Sequence, residues 1–441
     1  MEEFTQALEA RFADAADFTV RRIDTPSGAA AVCSIDGLTG SGDIADFILR
    51  PLSRGEAVCN AVESPVRDAA DAAEKLVCGF CVVLLSGSAR AYEVKSAARR
   101  GPEPPTVEST VKGAKDAFTE TLRTNTALVR RHLRTPSVQL WERPVGSRSA
   151  TRVAVVSLEG VTDIALRDRV IARLEGLEPT GLLTPAAVEE GLTGARKTAF
   201  PMLRYTERPD KFCQGLLAGQ VGVLVDALPL GYLLPVDLAV LMSSPEDYGM
   251  DYVTASCVRV LRYLALLAAL LLPGLFVAMM AFQPEMIPTK LLQSIIESKQ
   301  GVPFPATLEV LGLLVAFELL QEAGIHLPQA IGHTISIIGG LVVGTAAVEA
   351  RILSPAALIV VAAAGICGYC LPSRDFSNAV RVWRFGLALC AGAAGLFGLT
   401  AGAVALLIHL AELESLGRPY LAPFCRAELG GALSRARVER R

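Results

Sequence analysis

The sequence predicts an α/β region of two related subdomains, followed by an α-helical membrane domain of about 4–5 segments. One observation behind this prediction is a change in composition. Charged residues are frequent before about Cys257, whereas long stretches from Val258 to Leu413 contain no charge. A second observation is a repeat in the first half, where an apolar strand, an acid-glycine turn and an amphipathic helix occur twice.

The overall composition agrees with a chain divided in this way. Of the 441 residues, 51% are hydrophobic and 20% are charged, which is too apolar for one soluble domain and too charged for a membrane protein throughout. The formal net charge of -3 favours neither a nucleic-acid partner nor an acidic substrate. The apolar excess must therefore be concentrated in one half of the chain.

Each copy of the repeat has two recognisable parts. Ala30–Gly37 and Arg152–Gly160 are apolar strands that end in an acid-glycine turn and precede an amphipathic helix. Cys78–Gly87 and Ala218–Ala227 are typical of hairpins. We therefore expect an N-terminal tail (1–27), α/β subdomain 1 (28–97), a helical linker (98–140), α/β subdomain 2 (141–255), a helical transmembrane domain (256–412) and a C-terminal tail (413–441).

The N-terminal sequence differs from a secretory signal peptide. Acidic residues stand where a signal peptide carries Lys or Arg, and an apolar h-region is missing. We expect the N-terminal domain to be cytoplasmic. The pairs Cys78/Cys81 and Cys367/Cys370 lie in a strand-like run and an apolar span, so they do not form the two knuckles of a zinc ribbon, and we expect no metal site.

Two glycine-containing stretches resemble nucleotide-binding loops but lack the required pattern. Gly40–Ala45 fits the dinucleotide fingerprint only loosely, and the equivalent turn of the second repeat lacks its glycines. In Gly191–Thr198, Arg196 replaces the second glycine of a phosphate-binding loop. The chain has four histidines, and no Ser, Cys or carboxylate pair has a base at motif spacing. We expect no catalytic residue, no enzyme activity and no cofactor.

Four apolar segments are long enough to cross a bilayer. The first, Val260–Phe282, contains Pro273 and Gly274, which predict a kink. Arg259 and Arg262 precede it, so its N-terminal end should be cytoplasmic. The other three segments are Ile331–Val348, Pro355–Leu371 and Phe385–Leu410.

A fifth apolar segment, Phe304–Gly324, contains three candidate membrane-embedded acids, Glu309, Glu318 and Glu322. Glu309 lies in a first helical turn, where the helix dipole favours an anion. Glu318 and Glu322 are one turn apart on one face, which should contact protein, water or the interface because lipid contact would be costly.

This fifth segment either re-enters the bilayer or crosses it. Re-entry gives four spans, which place the arginine-rich C-terminal tail inside and Arg374, Arg381 and Arg384 outside. Crossing gives five spans, which place the three arginines inside and the C-terminal tail outside. The positive-inside rule favours four spans.

The segment Ile331–Val348 is the predicted centre of the membrane domain. Its small residues recur every fourth position, so on a helix they form a smooth ridge suited to close packing; they are Gly332, Ser336, Gly340 and Gly344. An overlapping face is weakly polar at one end and narrow and apolar in the middle, which suits a pore that gates by dewetting. The candidate pore-lining residues of this face are His333, Ser336, Gly340, Val343 and Ala347. Helix packing, which includes Gly332 and Gly344, explains the same pattern.

Six motifs, in order along the chain, are similar to those of the GerA family of bacterial spore germination proteins. They are Phe118–Asn125 with Leu128–Arg131, Tyr205–Asp210, Ser244–Tyr248, Phe282–Pro288, Gly301–Pro305 and Pro419–Phe424. Within that family the chain resembles the A subunit of germinant receptors and the SpoVAF-like paralogue.

The resemblance implies a multi-pass protein of the spore inner membrane. It further implies a homo-oligomer whose membrane helices form a nutrient-gated cation channel, beside a permease-like B subunit and a lipoprotein C subunit of the same receptor. Two alternatives stay open: an accessory channel subunit of the SpoVAF-like type, and a non-conducting membrane scaffold for germination partners.

Overall fold

The computed structural model of this chain divides into two compact units. It describes residues 2–58, 62–85, 87–94, 108, 113–177, 184–194, 197–326 and 344–425. The first unit, named the α/β unit, comprises Met1–Arg196, Met202–Val236 and Ser415–Gly417. The second, named the helical unit, comprises Lys197–Pro201, Asp237–Glu414 and Arg418–Arg441.

The first half of the α/β unit contains a five-stranded antiparallel sheet with the strand order β1-β2-β4-β5-β3. In chain order its elements are α1 (Glu2–Arg11), β1 (Phe18–Thr25), β2 (Gly28–Ile35), α2 (Ser41–Ile44), a π-helical turn (Ala45–Leu49), α3 (Arg50–Arg54), β3 (Glu63–Pro65), α4 (Ala69–Val77), β4 (Phe80–Leu85) and β5 (Ser88–Glu93). Because α1 and β1 are part of this fold, the predicted tail 1–27 contributes a strand to the sheet.

The second half repeats this arrangement, with the strand order β6-β7-β9-β10-β8 and antiparallel neighbours. Its elements are α5 (Leu122–His132), β6 (Val138–Val145), β7 (Thr151–Leu158), α6 (Ile164–Glu175), α7 (Pro185–Thr193), β8 (Arg204–Thr206), α8 (Pro209–Leu217), β9 (Val221–Val225) and β10 (Gly231–Leu234). The two strand orders match position by position. The prediction of two related α/β subdomains is therefore confirmed.

Helices cover both faces of the first sheet, with α1 and α4 on one face and the segment from α2 to α3 on the other, and α5 and α8 pack on the second sheet. In the first core, Leu8 of α1 and Leu76 of α4 are fully buried together with Cys33 of β2. In the second core, Phe212 of α8 lies against two strand glycines, and a Cβ added at Gly222 would lie 2.2 Å from its ring. The absence of a side chain at Gly222 thus allows the helix to approach the sheet.

The two subdomains are joined by backbone and side-chain contacts around Asp17. The amide of Leu140 donates to the carbonyl of Asp14 at 2.7 Å, and the amide of Ala16 donates to the carbonyl of Leu140 at 2.9 Å. Arg130 of α5 pairs with Asp17, with Nη2 and Oδ1 2.7 Å apart, and the two side chains are 0% and 1% exposed. The segment between α1 and β1 therefore links the two sheets.

The helical unit contains the apolar half of the chain, as predicted from composition. Its elements are α9 (Leu238–Met242), a 3-10 turn (Pro245–Gly249), α10 (Tyr252–Ala281), a second 3-10 turn (Pro284–Met286), α11 (Thr289–Lys299), α12 (Ala306–His326), helical residues 344–349, α13 (Pro355–Tyr369), α14 (Arg374–Glu412), β11 (Glu414–Ser415), β12 (Arg418–Pro419) and α15 (Ala422–Cys425). Among the described residues, α10 and α14 are long and apolar enough to cross a membrane, by length and composition alone, and α13 is a shorter apolar helix.

The segment α14 folds back on itself and does not form one straight helix. Its backbone leaves the helical region at Ala394 (φ -140°, ψ 20°) and Gly395 (φ 61°, ψ -141°). The rings of Trp383 and His409 lie 5.5 Å apart, whereas a straight helix would separate them by about 39 Å. Residues 374–393 and 396–412 are therefore the two arms of a helical hairpin. The prediction of a single span over Phe385–Leu410 is wrong, because it passes through this reversal.

The hairpin defines two ends of the helical unit. The turn end contains Gly395 and the last residues of α10, where the amide of Leu396 donates to Gln283 Oε1 at 3.4 Å. The opposite end, named the basic end, contains Trp383 and His409. It also contains the start of α10, which is followed along the helix by Arg259 and Arg262.

The helices α12 and α13 run in the same direction between these ends. Near its start α12 packs against the hairpin turn, since a Cβ at Gly392 would lie 2.3 Å from Thr307 Cγ2. The amide of Ser354, which precedes α13, lies beside the first turn of α12. At the other end of the pair, Gln321 of α12 donates to the hydroxyl of Tyr369 of α13 at 2.7 Å. Both helices thus lead from the turn end to the basic end.

Candidate functional site: buried charges of the helical unit

Glu309 lies at the junction of three helices. It is in the first turn of α12, is 1% exposed, and its Oε2 accepts a hydrogen bond from the amide of Ser354 at 2.9 Å. The ammonium of Lys299, the last residue of α11, lies 2.9 Å from Oε1. A buried carboxylate is costly without partners, and here the cation and the helix N-termini compensate for its lost hydration. This predicted membrane-embedded acid is therefore in contact with protein.

Glu318 lies between two arginines of the hairpin. Its Oε2 is 2.9 Å from Nη1 of Arg381, and its Oε1 is 3.1 Å from Nη2 of Arg384, whose side chain is 2% exposed. Glu322, one turn further along α12, is exposed. The structure thus gives different surroundings to these two predicted acids.

The arginine partners of Glu318 were missed by sequence reasoning. They lie 63 and 66 residues further along the chain, a distance at which no local pairing rule applies. The sequence did contain one signal, since Arg381 and Arg384 stand directly before an apolar segment. Their positive charges were used only to orient the membrane spans and not to find a partner for Glu318.

Asp247 forms a third buried cluster, just before α10. Its carboxylate accepts from Arg259 Nε at 3.0 Å and from Arg262 Nη2 at 2.8 Å, and it closes a capping box with Ser244. Burial alone would raise the pKa of Asp247, but hydrogen bonds from Arg262, from the Ser244 backbone and from Arg259 hold it below its ordinary value. The carboxylate therefore stays ionised and fixes the first turns of α10.

An aromatic cluster surrounds Phe200, which belongs to the helical unit although the chain on both sides of residues 197–201 belongs to the α/β unit. The Phe200 ring lies 5.9 Å from Phe376, 6.1 Å from His409 and 6.1 Å from Tyr420. Nearby, Thr198 Oγ1 and His409 Nε2 are 2.9 Å apart. The short segment is thus held against both arms of the hairpin.

Most of the predicted pore face lies outside the described residues. His333, Ser336, Gly340 and Val343 fall there, as does the packing residue Gly332. Two predicted residues are described. Ala347 is half-buried, and Gly344 is buried with a Cβ position 3.5 Å from Leu358 of α13. The Gly344 contact has the geometry of helix packing.

The α/β unit contains a cavity of about 240 Å³ where its two subdomains meet. Arg167 lies in its wall and already donates to Gln139 Oε1 at 2.9 Å and pairs with Asp14 at 3.2 Å. A small polar molecule could bind here only by replacing these contacts.

Across the part of the chain that the structure describes, no group of three His, Cys, Asp or Glu side chains is placed to hold a metal ion.

Comparison with known proteins identifies the family. The model of the family described as Bacillus/Clostridium GerA spore germination protein matches residues 6–440. This chain belongs to the GerA family. The resemblance predicted from the six motifs is thus confirmed, and it covers both units.

Relatives from this family align over most of their length. The chain is 34% identical over 439 residues to uncharacterized membrane protein YfkQ of Bacillus subtilis (strain 168), covering 95% of this chain and 86% of that protein. It is 32% identical over 409 residues to spore germination protein KA of the same organism, covering 89% and 75%. It is 31% identical over 429 residues to spore germination protein GerLA of Bacillus cereus, covering 93% and 87%. None of these three names describes an enzyme.

One solved structure is also similar. It is the N-terminal domain of the A subunit of the Bacillus megaterium spore germinant receptor GerK3, with 23% identity and a TM-score of 0.41, covering 53% of this chain and 93% of that one. Because this TM-score is low, the family assignment rests on the sequence matches alone.

Proposed function

We propose that this GerA protein is the A-type subunit of a germinant receptor in the spore inner membrane, and that several copies oligomerise into a nutrient-gated cation channel. Its partners are a permease-like B subunit and a lipoprotein C subunit of the same receptor. The names of the relatives support the role in germination. A ring of copies is required because the helices of one chain are too few to enclose a pore.

The observation that carries the channel proposal is the sequence pattern of Ile331–Val348, which is apolar throughout and has one face that is weakly polar at one end and narrow and apolar in the middle. At the described end of this segment, Gly344 packs on α13, with its Cβ position 3.5 Å from Leu358. We assign the pore face to this segment, with Val343 at its apolar constriction and Gly344 packed on α13.

The orientation of the protein follows from its arginines. Among the described residues, those of α10 and α14 at the basic end include Arg259, Arg262, Arg374, Arg381 and Arg384. A single span would place the arginines before it and the C-terminal tail after it on opposite sides of the membrane. The hairpin starts and finishes at the same end, so the arginines and the tail can both be cytoplasmic. We place the basic end and the N-terminal domain in the cytoplasm.

The first test is the mass of the purified full-length protein in a mild detergent, measured by native mass spectrometry. A closed homo-oligomer is the expected result. A monomer that is recovered only together with B and C subunits would overturn the channel proposal and favour the non-conducting scaffold. A homo-oligomer that never co-purifies with B and C subunits would favour the SpoVAF-like accessory subunit.

The second test compares two substitutions that remove the same atoms. Val343→Ala widens the proposed constriction, whereas Val404→Ala acts on a side chain of the hairpin that is 53% exposed. We expect Val343→Ala to raise cation release from spores several-fold and Val404→Ala to leave it unchanged, because dewetting depends steeply on pore radius. Equal cation release from the two variants would contradict the assignment of the pore face.

A further inference from the structure

The helix α11 is amphipathic and buries none of its side chains fully. Leu292, Ile295 and Lys299 share one face at spacings of three and four residues and are half-buried. Leu291 and Ile296 flank this face and are 53% and 51% exposed. The opposite face is polar and exposed and consists of Lys290, Gln293, Ser294 and Glu297.

Contacts at the end of α11 fix its rotation about its own axis. Lys299 is held by the buried carboxylate of Glu309 at 2.9 Å, so the face that carries it must point towards α12. At Gly301 the chain turns with φ +90°, and a Cβ there would lie 3.1 Å from Arg351 Cδ. The helix therefore cannot roll to bury Leu291 and Ile296 without breaking the Lys299–Glu309 pair.

The position of α11 identifies what covers these two side chains. The helix lies at the turn end, between the end of α10 and the start of α12. Exposed apolar side chains continue from it in both directions along the chain, namely Phe282, Met286, Phe304 and Leu308, which are 45%, 59%, 44% and 56% exposed. Exposed apolar side chains therefore occur both before and after α11 along the chain. A helix with an apolar face and a charged face in this position has the character of an interfacial helix.

We propose that α11 lies in the plane of the bilayer surface at the turn end, with Leu291 and Ile296 inserted at the boundary between headgroups and acyl chains. The polar face then points to water, and the Lys299–Glu309 pair connects this surface helix to the buried ends of α12 and α13. The proposal rests on the membrane insertion of the helical unit, which is part of the proposed function.

The test introduces one tryptophan at a time into the full-length protein in vesicles of phosphatidylglycerol and phosphatidylethanolamine. Leu291→Trp and Ile296→Trp probe the apolar flanks, and Gln293→Trp is the matched control on the polar face. Leu407→Trp, at a hairpin side chain that is 58% exposed, reports membrane insertion itself. The readout is the fluorescence added to that of Trp141 and Trp383, and its quenching by acrylamide in water or by lipids brominated near the headgroup or deep in the acyl chain.

We expect shallow brominated lipids to quench Leu291→Trp and Ile296→Trp several-fold more than Gln293→Trp, and acrylamide to give the reverse order. Quenching of all three by acrylamide alone would overturn the proposal, since α11 would then lie in water. Protection of Leu291→Trp and Ile296→Trp from both quenchers would also overturn it, because protein would then cover them. Failure of deep brominated lipids to quench Leu407→Trp would instead contradict the membrane insertion on which the proposed function depends.

Discussion

In the α/β unit Asp17 and Arg130 face each other as a single buried pair, whereas in the helical unit Asp247 and Glu318 each contact two arginines. The first pair is neutral as a whole. The other two carboxylates each bridge two arginines and lie towards one end of the helices. The two units thus give their carboxylates different surroundings: one arginine for the buried Asp17, and two arginines each for the buried Asp247 and for Glu318, whose side chain is 39% exposed.

This difference has a physical meaning. In a neutral buried pair, each side chain is paired with the other. The pair therefore favours the one packing arrangement of the two subdomains that brings both side chains together. The arginines of the two clusters have contacts besides the shared acid, since Arg262 Nη1 also donates to the carbonyl of Met242 at 3.2 Å and Arg381 Nη2 donates to Asn378 Oδ1. We therefore expect the single pair to tolerate substitution less well than the clusters.

The largest effect is expected for Arg130→Met, which leaves Asp17 buried without its partner. Breaking a buried pair in this way costs about 3–5 kcal/mol of stability. The measurement is thermal unfolding of the full-length protein followed by circular dichroism. Arg131→Met, at the exposed next position of α5, is the matched control, and a loss as large in the control would contradict the role of the pair.

A smaller loss is expected for Asp247→Asn in the helical unit. The variant removes the shared negative charge, but its amide oxygen can still accept a hydrogen bond and Arg262 keeps its bond to the carbonyl of Met242, so we expect about 2–3 kcal/mol. Asp251→Asn removes a charge from the exposed residue before α10, whose side chain makes no capping hydrogen bond, and should change little. A loss for Asp247→Asn above that for Arg130→Met would reverse the comparison.

The hairpin turn provides a test that involves no charge. Gly395→Ala places a side chain at φ +61°, with its Cβ 2.9 Å from Phe282, and should cost about 1–3 kcal/mol. Gly386→Ala is the control, because its Cβ meets nothing within 4 Å. The difference in melting temperature between the two variants measures the strain. If both variants have the same melting temperature, the reversal at Gly395 does not depend on glycine.

The smallest effect is expected at a partly exposed pair of the α/β unit, His132 and Asp116, whose ring nitrogen and carboxylate lie 2.8 Å apart. The hydrogen bond that His132 donates to the carboxylate of Asp116 raises the pKa of His132 above 6.5 and lowers the pKa of Asp116 below 3.8. The contribution of His132 to folding stability is complete below pH 6.5 and is lost as the pH rises through its raised pKa. The contribution of Asp116 is complete above pH 3.8 and is lost as the pH falls through its lowered pKa.

The pair therefore stabilises the unit most between these two ordinary values, by a few tenths of a kcal/mol to about 1 kcal/mol. Comparison of the native chain with His132→Gln checks this, because the difference in unfolding temperature should be larger at about pH 5.5 than at about pH 9. A difference that does not change with pH would exclude an ionised pair.

Local patterns in the sequence were enough to predict much of the α/β unit. The runs that contain Cys78–Gly87 and Ala218–Ala227 predicted the hairpins β4-β5 and β9-β10 because strand pairing across a short turn is a local property. β1 was assigned to a tail because its sequence, Phe18–Thr25, mixes apolar and charged residues. Its pairing with β2 is as local as that of the other hairpins, because Pro26 and Ser27 alone separate the paired residues Thr25 and Gly28, so the mixed sequence of β1 concealed a hairpin.

The helical unit was predicted less completely. Apolar length identified the segments, but the reversal at Ala394–Gly395 lies in a run of alanine and glycine that is also common in straight membrane helices. The contacts of Glu309 and Glu318 depend on which helices become neighbours, and hydropathy contains no information on this point. The acids were therefore found from the sequence, whereas their partners Lys299, Arg381 and Arg384 were found only in the fold.

The short segment around Phe200 has a consequence for the order of events during synthesis. Thr198 and its partner His409 are separated by 211 residues, so the α/β strands around this segment leave the ribosome long before the hairpin exists. Until then the Phe200 side chain has none of its later aromatic neighbours. The final packing of residues 197–201 must therefore wait for the last helices of the chain, and a truncation before the hairpin would leave an apolar residue exposed on an otherwise folded unit.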